Sequence, residues 1–199
     1  TAEELCHAND ALFVAHEIQC GLGRTGRWFA YQRYGLNPDV VVVAKPLAAG
    51  LPLSAIIARE PAAQAFTPGM HGTTFGGGPL QCRLALKVVE ILERRGVLEH
   101  IRDVGSYFRE RLEELQAELP VIREVRGEGC ILAAELEVPC KAVTRQLLEA
   151  GFLVNCTQEK VLRFLPPFIV ERHDIDELIA ALKPILASLK VSEKKGVTA

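Results

Sequence analysis

Apolar positions fall in short runs over the first third of the chain and at helical spacing afterwards. Ala11–Ala15 (ALFVA) and Asp39–Ala44 (DVVVVA) are strand-length apolar runs with polar residues around them. Both predict strands buried on two faces, as in the parallel sheet of an α/β domain. Between them lie a glycine-rich turn, GLGRTG at residues 21–26, and an amphipathic piece ending at Tyr34-Gly35. Leu53–Ala58 (LSAIIA) is a third strand candidate, and Thr1 stands inside what reads as a helix end.

The pattern changes after the run Gly76-Gly77-Gly78. Leu80, Leu84, Val88, Ile91 and Leu92 recur at helical spacing from Pro79 to about Arg95, with Pro79 suited to a first turn and Gly96 to a stop. A second helix is expected from Val97 to Glu118, ended by Pro120. Strands at 122–126 and 130–136, a helix at 141–150, strands at 152–155 and 161–165, and a helix at 174–189 follow. This order predicts an α/β portion over 1–78, a connecting helix over 79–95, a small α+β domain over 96–190 and a frayed tail at 191–199.

Composition narrows the class. The 199 residues are 49% hydrophobic and 24% charged, with a net charge of -2, so no basic surface argues for nucleic acid or anionic membrane. No apolar run approaches the roughly 18 residues that crossing a bilayer takes, and no signal peptide is evident. The six cysteines, Cys6, Cys20, Cys82, Cys130, Cys140 and Cys156, form no CxxC pair. That spacing speaks against a zinc site or a disulfide scaffold and for reduced, mostly buried thiols in a cytoplasmic protein. The histidines have no metal-ligand spacing either, and no metal is expected.

Lys45 follows four valines and an alanine, so it stands where a strand ends. Taken alone, such a lysine reads as emerging into solvent. The small-residue loop PLAAGLP behind it lets a ligand approach the backbone. The carboxyl end of a parallel strand is also where open α/β sheets place ligands. Desolvation there would lower the amine pKa and make it a nucleophile toward an aldehyde. GLGRTG matches GxGxxG, which raises a dinucleotide site as a rival. Glu17, Gln19 and a cysteine intervene between strand and glycines, however. The following RWFAYQRYG is short for a crossover helix, and Asp39 precedes its strand instead of ending it.

Three segments carry a family resemblance. HEIQCGLGRTGRWFAYQRYGLNPDVVVVAKPLAAGLP resembles the signature of class III (fold type I) pyridoxal-phosphate aminotransferases, and HGTTFGGGPL resembles their phosphate-contacting segment. NCTQEKVLRFLPPFIV is similar to the C-terminal signature of the acetylornithine aminotransferases within that class. The resemblance runs to about Leu189. It implies pyridoxal 5'-phosphate as cofactor, a homodimer with the active site at the interface, and an amino donor and a 2-oxo acid as substrates. Lys45 then matches the lysine that binds the cofactor and shuttles a proton. Gln19 matches the glutamine near the phenolic oxygen, and Thr74 the threonine that reaches the phosphate of the partner's cofactor. Thr73 matches a substrate-contacting position, and Arg163 the small-domain arginine for a substrate carboxylate.

His16 departs from the pattern, which has an aspartate facing the pyridine nitrogen. That carboxylate keeps the nitrogen protonated; a neutral imidazole cannot do so by charge, and an imidazolium repels the proton. Gly78 in place of an asparagine and Ser54 in place of a glycine are lesser departures. The family's large domain also begins well before Thr1, with a phosphate-binding turn, a ring-stacking aromatic and a second arginine that have no counterpart here.

The resemblance thus implies a partial fold type I chain that transfers the δ-amino group of N-acetylornithine to 2-oxoglutarate in arginine biosynthesis, impaired by His16. An ornithine, succinylornithine or 4-aminobutyrate aminotransferase is a near alternative. A catalytically inert, dimerising or regulatory relative is the other.

Overall fold

The computed structural model describes residues 1–189; the expected tail at 191–199 lies outside them. The chain divides into two compact units, Thr1–Ile101 and Arg102 onward.

The first unit opens with helix α1 (Ala2–Ala8). Thr1 starts it with a reciprocal cap: the Thr1 Oγ1 accepts the Glu4 N–H at 3.2 Å, and the Glu4 carboxylate accepts the Thr1 ammonium at 2.6 Å. Strands β1 (Val14–His16), β2 (Val40–Val43) and β3 (Ala55–Ala58) follow, then helix α2 (Pro79–Arg94) with its proline in the first turn.

The strand order is β1-β2-β3. β1 runs parallel to β2, with His16 opposite Val42, and β3 runs antiparallel to β2, with Ala55 opposite Val43. The mainly parallel sheet expected from the sequence is therefore corrected to a mixed one among the described residues. Residues 44–54 hold no helix that could carry the chain back across the sheet, and parallel return needs such a crossover. Nor are the strands covered on both faces. Ala15, Val41 and Val43 are buried, while Val14, Ile56 and Ile57 are exposed. The buried set packs with Leu22, Trp28, Phe29, Tyr31, Leu47 and Ala55, and Phe29 stacks on Tyr31 with ring centroids 5.5 Å apart.

The second unit begins within helix α3 (Val97–Glu118) and continues through β4 (Ile122–Glu128), β5 (Ile131–Leu136), α4 (Lys141–Glu149), β6 (Asn155–Thr157), β7 (Val161–Phe164) and α5 (Arg172–Ala187). Its sheet has the order β4-β5-β7-β6 and is antiparallel throughout. Leu132, Ala134, Leu136, Leu162 and Phe164 are buried. So are Phe108, Leu112 and Leu115 of α3 and Ile175, Ile179, Leu182 and Leu186 of α5, each set at helical spacing. Phe108 meets Phe164 edge-on at 5.2 Å. Gly105 lets α3 approach the β4–β5 turn, since a Cβ there would lie 2.5 Å from the Gly129 Cα.

The expectation that all six cysteines are free is also corrected. Cys140, at the N-cap of α4, is bonded to Cys156 of β6, with Cα atoms 5.8 Å apart. Their separation of 16 residues has no motif value; the fold brings them together. Of the rest, only Cys130 is buried, Cys6 and Cys20 are partly covered and Cys82 is exposed. No helix among the described residues is long and apolar enough to cross a membrane.

Candidate active site

Because β1 and β2 are parallel, their carboxyl ends lie at one edge of the sheet. His16 is the last residue of β1, and Lys45 lies two positions beyond Val43, the last residue of β2. Gln19 lies half-buried in the turn that leaves β1. The fold thus brings His16, Gln19 and Lys45 to the same sheet edge. Lys45 itself is exposed, so the desolvation expected around its amine is not supplied by the described residues. Behind it the chain makes consecutive turns, Leu47 N–H to Ala44 O at 2.6 Å and Leu51 N–H to Ala48 O at 3.0 Å. Ala48 is fully buried beneath them.

The edge is built on Glu17, which sequence reasoning passed over. Successive strand residues face opposite ways: Ala15 and Glu17 point into the core and His16 points out. Only 3% of Glu17 is exposed. Its Oε2 accepts the Ala30 N–H at 3.0 Å and its Oε1 the Tyr31 N–H at 2.9 Å. These are the first amides of the short 3-10 helix Ala30–Tyr34, which would otherwise lack acceptors. The Cys20 thiol donates to the same Oε2 at 3.3 Å. Burial, then the hydrogen bond to Glu17 and its negative charge, push the Cys20 thiol up to about 11. The two-residue alternation with Ala15 was the signal that Glu17 faces inward.

Gly21 is required by this arrangement. A Cβ there would lie 2.6 Å from the Glu17 carbonyl oxygen and 2.9 Å from the Glu17 Cβ. The first glycine of GLGRTG therefore clears space for a carboxylate anchor. Leu22 beside it adopts φ 53 and is 4% exposed, so burial holds a leucine in the left-handed region that leucine disfavours by about 1–2 kcal/mol.

Thr73 and Thr74 lie in the exposed loop that leads into α2. The Thr73 Oγ1 accepts the Gly76 N–H at 3.3 Å, forming a tight hydroxyl turn. Arg163 lies in the middle of β7, half-buried, with Ala133 opposite on β5 and Asn155 opposite on β6.

The family profile "Aminotransferase class-III" matches residues 1–186. The chain belongs to that family. It is 48% identical over 184 residues to an acetylornithine aminotransferase of Aquifex aeolicus, covering 92% of this chain and 47% of that protein. With the acetylornithine aminotransferase of Methanocaldococcus jannaschii it shares 44% over 187 residues, 94% of this chain and 47% of the relative. A solved structure of Plasmodium falciparum ornithine delta-aminotransferase superposes with a TM-score of 0.87 at 32% identity, over 94% of this chain and 50% of that one. The acetylornithine aminotransferase of Elizabethkingia anophelis gives 0.86 at 28% identity, over 94% and 48%. The chain thus spans about half the length of the curated relatives it matches.

Class III aminotransferases depend on pyridoxal phosphate, and the donor set can be tested against that group. An amine, a carboxamide and a hydroxyl are present at Lys45, Gln19 and Thr74, and suit an aldehyde, a phenolic oxygen and a phosphate. His16 sets an imidazole at this edge. Neighbouring Glu17 brings no carboxylate to it, because Glu17 points to the opposite face and its oxygens accept the Ala30 and Tyr31 amides.

Proposed function

We propose that this chain carries the lysine-bearing part of an aminotransferase site that moves the δ-amino group of N-acetylornithine to 2-oxoglutarate with pyridoxal 5'-phosphate. The observation that carries the reading is the arrival of His16, Gln19 and Lys45 at one edge of a parallel strand pair, in a chain nearly half identical to acetylornithine aminotransferases. When bound, pyridoxal phosphate supplies an aldehyde that captures amino groups and a ring that withdraws electrons.

The chain's own residues divide the remaining work. The Lys45 amine would hold the cofactor and move a proton at the substrate carbon that bears the nitrogen. Gln19 would donate to the phenolic oxygen, and the Thr74 hydroxyl would reach the phosphate of a second subunit's cofactor. Thr73 would touch substrate. Arg163 would pair with a substrate carboxylate through its planar fork. Exposed Phe75, Leu80 and Leu86 around the start of α2 are the kind of apolar surface that association covers, which supports the homodimer. In this reading residues 1–78 belong to the cofactor domain, 79–95 connect, and 96–190 form the small domain of a cytoplasmic enzyme.

His16 favours a second reading, a catalytically weak relative that keeps the fold for assembly or regulation. Spectroscopy separates cofactor binding from turnover. The full chain mixed with pyridoxal phosphate is expected to show a visible band that borohydride removes and that Lys45→Ala lacks. Identical spectra for the two proteins would refute the role of Lys45. Glutamate formed from 2-oxoglutarate with N-acetylornithine, but not with ornithine, succinylornithine or 4-aminobutyrate, identifies the donor.

A further inference from the structure

The Cys140–Cys156 bond joins the start of a helix to an edge strand. β6 has three residues and, among the described residues, pairs with β7 alone; so short an edge pairing holds a strand weakly. The bond runs from the N-cap of α4 to the middle residue of β6. The turn after β6 is fastened at the same point, because the Cys140 N–H donates to the Glu159 carbonyl at 2.8 Å.

The two cysteines stand in different surroundings. Cys140 is fully buried. Cys156 is half-buried and lines an open cavity of about 540 Å³, with Pro139, Lys141, Thr144, Val154, Asn155 and Glu159 around it. Cys140 is not part of that wall. Lys141 and Glu159 put one charge of each sign at the cavity, which suits a small thiol bearing both carboxylates and an ammonium. Thiol–disulfide exchange needs one sulfur that a thiolate can reach and another that leaves with the electron pair. Cys156 meets the first condition. Cys140 meets the second, because the N-terminal amides of α4 have no side-chain cap and favour a negative sulfur at that end. They offset the cost of charging a buried sulfur.

We propose that Cys156 is a thiol-exchange site for a low-molecular-weight peptide thiol, and that its reaction releases β6 from α4. The incoming thiolate attacks the Cys156 sulfur. A new S–S bond forms to Cys156, the Cys140–Cys156 bond breaks, and its electron pair leaves on the Cys140 sulfur. A second thiolate then attacks the outer sulfur of the mixed disulfide and expels Cys156 as a thiolate. Two small thiols are thereby oxidised to their disulfide, and their protons pass to the two cysteines as the protein disulfide is reduced. β6 then loses its covalent hold on α4 and keeps its ladder with β7. The reverse sequence closes the bond.

The test treats the full chain with reduced glutathione, quenches with acid, blocks free thiols with N-ethylmaleimide and maps unreduced peptides by mass spectrometry. The expected product carries glutathione on Cys156 and maleimide on Cys140, in about tenfold excess over the reverse arrangement. Equal adducts, or adducts mainly on Cys140, would overturn the assignment. So would a bond that stays closed in glutathione, or a chain without the Cys140–Cys156 cross-link before the thiol is added. Where recapture by Cys140 keeps the adduct below detection, the single variants decide. With oxidised glutathione, Cys156 of Cys140→Ser is expected to be modified about tenfold faster than Cys140 of Cys156→Ser, both proteins being checked for wild-type circular dichroism. Comparable rates sink the idea. Hydrogen exchange reads the strand: amides 155–157 are expected to exchange about tenfold faster in the opened chain, with β4 unchanged. Unchanged exchange in β6 would overturn its release.

Discussion

The buried carboxylate of Glu17 accepts the backbone N–H of Tyr31 across 14 residues at 2.9 Å. This bond, with its twin from Ala30, fastens the glycine-rich loop and the 3-10 turn behind the end of β1, where His16 and Gln19 emerge. Replacing Glu17 with alanine leaves two buried amides without acceptors, a penalty of about 1–3 kcal/mol for each group. Glu17→Ala is therefore expected to unfold at markedly lower urea than wild type. An unchanged midpoint would show that the loop is held by other means.

Burial, reinforced by Glu17, also quiets Cys20. With that thiol pushed up to about 11 from 9.0, the thiolate at pH 8 is about a hundredfold scarcer than for an unperturbed cysteine. Cys20 is expected to react with iodoacetamide far more slowly than exposed Cys82, and to speed up in Glu17→Gln, which removes the charge. Mass-spectrometric rates for the two peptides check this, and equal rates would contradict it.

Asp39 links the strand entrance to α1. Its Oδ2 accepts the Phe13 N–H at 2.8 Å and contacts the His7 Nε2 at 3.0 Å. The Phe13 hydrogen bond, then that of His7, hold its carboxyl below the ordinary value of 3.8. A depressed folded pKa contributes stability that is fully present above the unfolded value and is lost as pH falls through the folded one. Wild type is accordingly expected to lose stability below about pH 4 by an amount that Asp39→Asn does not lose. Parallel acid unfolding curves for the two proteins would count against it.

The Cys140–Cys156 bond is expected to leave four alkylatable thiols in the denatured, unreduced chain and six after dithiothreitol, since the sequence has six cysteines. Closing a loop of this length stabilises by about 3 kcal/mol in the chain-entropy treatment, so the Cys140→Ser/Cys156→Ser protein should melt lower. Six thiols before reduction would rule the bond out.

His16→Asp is expected to raise single-turnover transamination by about a hundredfold or more, the scale of one preorganised electrostatic group at a reacting centre. Equal rates in the two proteins would show that His16 is not the impediment.

Much of the fold was legible because its elements carry their own punctuation. Gly96 and Pro120 bracket α3, which runs Val97–Glu118 as its spacing predicts. Pro79 likewise opens α2. Strand β6 was misplaced for a physical reason. The apolar trio Phe152-Leu153-Val154 looks like a strand, but Leu153 is exposed and the ladder starts at Asn155, in register with Arg163. The turn that sets this register places Gln158 and Glu159 at positive φ, with no glycine or asparagine to announce it.

The sequence by itself determined the family: the long motifs around Lys45, Thr73, Thr74 and Arg163 carry the resemblance that the class III profile bears out over residues 1–186. Those features depend on residue type and order along the chain, which a sequence states directly. Tertiary structure alone decided that Glu17 is a buried anchor for the Ala30 and Tyr31 amides. It also decided that β3 turns back antiparallel, that Cys140 meets Cys156, and that Asn155 stands beside Arg163. Each of these depends on which strand pairs with which and in what register, and pairing is settled by the packing of distant segments, which no local pattern encodes.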